Sequence, residues 1–119
     1  MPQYVDGFVL VVPRKNVRAY RTIAAKAGKV WKEHGAVAYY ECEGDDLDSK
    51  WGMPFPKLTK SKANETVYFS FIVYKSRAHR DQVNKKVMKD PRIAKMMQSK
   101  EPFDMKRMSY GGFKTVVKV

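Results

Sequence analysis

Any chemistry in this chain has few residues to work with. Its histidines are His34 and His79, its single thiol is Cys42, and one acid, Asp6, sits beside Gly7 in an apolar stretch. An acid in a buried strand needs a partner, because an unpaired buried charge is costly. Arg107 or a tyrosine is expected to supply it, unless Asp6 is a strand-end residue reaching solvent. His79, Val83 and Val87 step by four, which on a helix turns His79 toward the sheet or its edge. For both histidines, a satisfied structural role stands beside that of a group titrating near neutral pH. A metal centre is not expected. Glu41, Cys42 and Glu43 alternate faces on a strand, and neither histidine is spaced to join them. Asp45, Asp46 and Asp48 resemble part of a calcium loop, without its glycine and terminal glutamate. Cys42 as a nucleophile would need a histidine base that spacing does not place. Gly111-Gly112 is followed by no helix N-terminus, so it is no phosphate cradle. With no Ser-His-Asp pattern, Walker motif or dinucleotide fingerprint, no cofactor is expected.

A second kind of chemistry is suggested by VYFSFIVY, residues 67–74. As a strand it carries Val67, Phe69, Phe71 and Val73 on one face and Tyr68, Ser70, Ile72 and Tyr74 on the other. The stretch lines up with the third-strand signature of RNA-recognition domains, with Phe69 and Phe71 at the base-stacking positions. The basic first position of that signature is Val67, however, and its glycine is Tyr68.

The elements that must position these residues follow from periodicity. Residues 4–12 read as a strand closed by Pro13, apolar on both faces from Phe8 onward. A helix is expected over about 15–34, with Val17, Tyr20, Ala24, Ala27, Trp31 and His34 on one stripe and Gly35 as its stop. Residues 36–43 form a second strand and 44–65 a long loop. The third strand covers 66–74, and Ser76 caps a second long helix. Asp90-Pro91 ends that helix and starts a short one through Met97. A fourth strand follows residues 102–108 and runs through FKTVVKV, with a bulge or close backbone approach at Gly111-Gly112. The order β-α-β-β-α-β is that of a ferredoxin-like α+β fold with a four-stranded antiparallel sheet, strands one and three central.

The chain has 119 residues, enough for one domain with an ordinary core. MPQYVDG carries no positive leader, and FVLVV is too short to cross a bilayer, so no membrane association is expected. One cysteine excludes an internal disulfide and fits a reducing cytoplasm. The formal charge of +12 favours polyanions such as RNA, but the spread of basic residues from Arg14 to Lys118 favours solvation of helix backs over a single nucleic-acid surface.

Two helices cover one face of such a sheet, leaving an apolar patch on the other. RNA bases are one cover for it. A second copy is another: two sheets face to face across a two-fold axis bury Val67, Phe69, Phe71 and Val73 in a dimer interface. A small molecule between sheet and helices, or at the dimer rim, is the third way the fold could act.

The chain also resembles the YbaA-like family of small uncharacterised bacterial proteins. The resemblance is carried by YVDGFV (4–9), AYR (19–21), KEHGA (32–36), EC (41–42), FSFIVYKS (69–76), RDQVNKKVMKDPR (80–92) and PFDMKRMSYGGF (102–113). Residues 49–61 depart from the pattern. The resemblance implies a dimeric α+β barrel and no established activity. Wider relatives include cofactor-free monooxygenases and haem-degrading enzymes, and such chemistry would want a polar set in the sheet–helix pocket. Asp6, His34, His79 and Tyr110 are the candidates, with Trp31 as a wall and Arg107 as the partner of Asp6.

Overall fold

The computed structural model describes residues 2–119. β1 (Tyr4–Pro13) ends where proline removes a ladder donor, and a 3-10 turn at Arg14–Asn16 leads into α1 (Val17–Glu33). β2 is Ala38–Glu43, and a short helix α2 (Phe55–Thr59) lies within the long loop after it. Then come β3 (Glu65–Tyr74), α3 (Arg77–Met88), α4 (Pro91–Met97), a 3-10 turn at Met105–Arg107 and β4 (Ser109–Lys114). All strand pairs are antiparallel, in the order β2-β3-β1-β4. The fold is the expected ferredoxin-like α+β arrangement with β1 and β3 central.

Caps fix the helix ends. Ser76 Oγ accepts from the His79 N–H at the start of α3, and Asp90 accepts from the Arg92 N–H at the start of α4. α1 stops at Gly35, whose φ of +114° few side chains tolerate. There the Gly35 N–H bonds Lys32 O and the Ala36 N–H bonds Trp31 O, closing off the last turn. Asp90 also accepts from His34 at 2.9 Å and from Arg92 at 2.9 Å, while Arg92 reaches Glu33 at 2.6 Å. One carboxylate thus ties the end of α1 to the start of α4, and Arg92 and His34 hold its pKa well below the usual range.

The core lies between the sheet and the helices. Ile72 and Tyr74 pack with Val30, Val83, Val87 and Ile93, and Tyr68 packs with Leu10, Val12, Tyr20 and Ala24. The molecule measures 38 × 38 × 20 Å, the thickness of one sheet plus one helical layer. The opposite face of the sheet is therefore open over most of its area. Tyr40 is 53% exposed there, Phe69 47% and Phe113 64%.

Three expectations need correction. The 44–65 segment is not purely loop. Its start bonds back onto β3 through the Gly44 N–H to Val67 O at 2.7 Å, and Leu47 and Phe55 line a pocket together with Val67. Val67 is therefore 4% exposed, already covered by its own chain rather than free for a partner. No bulge forms at Gly111-Gly112, which pair in register with Gly7 and Asp6. The close approach is real, since a Cβ at Gly112 would stand 2.7 Å from an Arg80 terminal nitrogen and from the Tyr4 ring. Finally, β4 ends at Lys114, and 115–119 continue outside the sheet, tied by the Thr115 N–H to Gln3 O at 3.0 Å.

Two stability predictions follow. Gly35→Ala forces a side chain into the positive-φ region and should cost about 1–2 kcal/mol in chemical denaturation. Glu65 is held by Arg107 through bonds of 2.9 and 2.6 Å, which lower its pKa from 4.5 to about 2. A depressed acid stabilises the fold above its unfolded pKa and loses that effect as pH falls through the folded value. The stability gap between wild type and Glu65→Gln should be complete above pH 4.5 and close as pH drops toward about 2.

Candidate functional site

Asp6 lies on the helix side of β1, 1% exposed, with the Arg80 Nε 3.3 Å from its Oδ1. Its partner is thus Arg80 from the first turn of α3, not Arg107, and it does not reach solvent. The approach is close but poorly aligned, so Asp6 Oδ1 and Arg80 Nε both lack a true hydrogen bond. Burial raises the Asp6 pKa, against the pull of Arg80 and of nearby Asn84 and Tyr74. Around this pair, Arg80 donates to the Tyr4 hydroxyl at 3.3 Å and lies over its ring at 4.9 Å. Trp31 Nε1 and the Tyr74 hydroxyl both donate to Asn84 Oδ1 at 3.1 Å. Tyr110 stacks on Phe8 with centroids 4.8 Å apart.

The structure therefore gathers Asp6, Trp31 and Tyr110 on the helix side near α3, and His79 packs edge-on against Tyr74 at 6.1 Å. The His79 Nδ1 accepts the Lys75 N–H at 3.0 Å, and burial, then Lys75 and Lys86, lower its pKa. His34 and Arg107 do not join the set. His34 is committed to Asp90 at the end of α1, and Arg107 binds Glu65 and Asp104 beside the other end of β3. Among the described residues, no group of three or more His, Cys, Asp or Glu side chains is placed to hold a metal ion.

A cavity of about 390 Å³ lies elsewhere in the sheet–helix space, between α1 and the edge strand β2. On β2, Tyr39, Glu41 and Glu43 occur at every second position and face α1. From α1, Tyr20, Ala24 and Gly28 repeat at four and look back at them. Gly28 is needed for the fit, because a Cβ there would stand 2.8 Å from the Tyr39 ring. The Tyr20 hydroxyl donates to Glu41 Oε1 at 2.6 Å and the Tyr39 hydroxyl to Glu41 Oε2 at 3.0 Å. The Tyr68 hydroxyl donates to Glu43 Oε1 at 2.6 Å, and Arg21 reaches the same oxygen at 3.0 Å. Burial, reinforced by Glu41, pushes the Tyr20 and Tyr39 phenols far above their ordinary pKa, so both stay protonated. Tyr68, then Arg21, draw the Glu43 carboxyl down.

None of these cleft residues stands out in composition. The alternation that sets Glu41 and Cys42 on opposite faces also sets Glu41 and Glu43 on the same one, and that was the available signal. What periodicity does not give is the partner helix, since only tertiary packing brings Tyr20 to Glu41.

Residues 3–105 match the family described as Protein of unknown function (DUF1428). The uncharacterized protein YbaA of Escherichia coli strain K12 is 44% identical over 115 residues, 97% of each chain. Uncharacterized protein YbaA of Shigella flexneri matches to the same extent. Among solved structures, a variant of SnoaB, a cofactor-independent oxygenase from Streptomyces nogalater, is similar with a TM-score of 0.66 at 9% identity, over 100% of this chain and 98% of the other. A dimeric ferredoxin-like protein from an uncultured marine organism gives a TM-score of 0.59 at 11% identity, with 100% of both chains covered. At these identities the structural likeness is one of fold. The sequence match spans nearly the whole chain, and the chain belongs to the YbaA-like DUF1428 family.

Proposed function

We propose that this protein is a cytoplasmic homodimer, joined through its open sheet face, that binds a small molecule in the cleft between α1 and β2. The observation that carries the binding site is the cavity itself. It offers about 390 Å³, within the range of small-molecule sites, walled by tyrosine rings and alanines with two carboxylates set into it. The exposed Cys42 thiol suits a reducing compartment.

Self-association is supported by what the open face presents. After Val67 is set aside, Phe69, Phe71 and Val73 form an apolar surface with Tyr40 and Phe113. Phe71 stacks on Tyr40 at 4.8 Å and meets Phe69 at 5.7 Å with planes tilted by 46°. The rings thus engage one another, whereas RNA recognition of this type needs free ring faces for stacking. The likeness to a cofactor-independent oxygenase lends the fold, and no residue role is carried over from it.

Two tests apply. Phe69→Asp places a charge in the proposed interface without touching the core and should raise the dimer dissociation constant roughly 100-fold or more in sedimentation equilibrium, while the monomer's circular dichroism is kept. Ala25 lines the cleft mouth from the exposed side of α1. Ala25→Trp should fill the cleft and abolish every thermal shift that a small-molecule library produces on wild type. Shifts that survive in Ala25→Trp would place binding elsewhere.

A further inference from the structure

The hydrogen-bond polarity of the cleft narrows what can occupy it, given that it is the binding site. A phenol has one proton to give. Tyr20 and Tyr39 each spend theirs on Glu41, and Tyr68 spends its own on Glu43. What these oxygens still offer is lone pairs. Both Glu41 oxygens likewise accept and cannot donate, and the only side chain with N–H groups lining the cleft is Arg21. Arg21 already bonds Glu43 at 3.0 Å and the Tyr68 hydroxyl at 3.4 Å. Among the described residues the cleft is therefore rich in acceptors, and its remaining side-chain donors are confined to the solvent-exposed Arg21 guanidinium at the rim.

Its charge points the same way. Among the described residues, no Lys, Arg or His nitrogen lies within 4.0 Å of Glu41, in a chain whose formal charge is +12. The other two acids that face the helices from the sheet each have a cation: Asp6 has Arg80 and Glu43 has Arg21. Glu41 is half-buried against tyrosine rings, where a positive group gains both from the carboxylate and from the ring faces. The remaining walls, Ala24, Ala25 and Gly28, accept only an apolar body.

We propose that the α1–β2 cleft is selective for a small protonated amine with a compact apolar or aromatic body, its ammonium donating to the Glu41 carboxylate and to the Tyr20 and Tyr39 oxygens. Carboxylates and phosphates are disfavoured, since they would set acceptors and negative charge against Glu41 and the tyrosine oxygens, with only the exposed Arg21, already paired to Glu43, to meet them.

The test is calorimetric titration of the full chain with a panel of aryl- and alkylamines, each matched by its alcohol and its carboxylate, phenethylamine with 2-phenylethanol and 3-phenylpropionate among them. Amines should bind at least about tenfold more tightly than the matched alcohols, and carboxylates should not bind. Glu41→Gln removes the charge and turns one of the two tyrosine bonds round, the amide N–H now donating to the phenol oxygen, and should remove the preference for each amine over its matched alcohol. Tyr39→Phe, which deletes one acceptor and no charge, should weaken amines by a smaller factor. Alcohols binding as well as amines, with binding lost in Ala25→Trp, would overturn the amine selectivity and leave the cleft as the site. Binding of amines that neither Glu41→Gln nor Ala25→Trp diminishes would overturn both.

Discussion

The β1–β3 pairing at the centre of the sheet places apolar side chains on both of its faces, while the helices cover only one. Leu10, Val12, Tyr68, Ile72 and Tyr74 face the helices and are almost wholly buried. On the other face, the segment after Gly44 shelters Val11 and Val67 at one end, leaving Phe69, Phe71, Tyr40 and Phe113 as a largely uncovered patch. Burying an aromatic side chain contributes about 1.5–3 kcal/mol, so a patch of four is a strong drive toward a second layer. In the proposed dimer a second copy would supply that layer. The loop adds further exposed apolar residues, Trp51 at 89% and Leu58 among them.

The helix side answers a different demand, because every polar group placed there must be satisfied in a confined space. Asp90 meets it with four hydrogen bonds from two residues, His34 and Arg92, tying the end of α1 to the start of α4. Asp6 meets it incompletely, facing Arg80 at a poor angle while burial favours its protonated form. Glu41 meets it with two tyrosines and no cation, beside an open cleft. The sites most tightly satisfied are architectural, and the one left short of a counter-charge borders the open cleft.

Much of this was legible in the sequence for physical reasons that can be named. Both central strands are apolar on two faces, which marks them as interior, and the Ser76, Asp90 and Gly35 boundaries are local signals that need no tertiary context. The helix α2 was not legible because Pro54, Phe55 and Pro56 read as a breaker, although proline at a helix's first turn is compatible with starting one. Arg107 and Arg80 are equivalent candidates for Asp6 on sequence; only the packing of α3 over β1 selects Arg80. Likewise Val67 belongs by alternation to the open face, and alternation holds, yet a long-range fold-back of the loop covers it. The Tyr20–Glu41–Tyr39 group combines two periodicities, one helical and one of a strand, whose meeting is set by the sheet–helix packing alone.

The claim on which the rest turns is that the open sheet face is occupied by a second copy of the chain. Light scattering across a size-exclusion peak of the wild-type protein, read together with its ultraviolet absorbance ratio, tests it directly. The account predicts a nucleic-acid-free species of twice 13.8 kDa, about 27.6 kDa. A stable 13.8 kDa species, or a peak that carries nucleic acid, would contradict it and return Phe69 and Phe71 to the role of an exposed stacking surface.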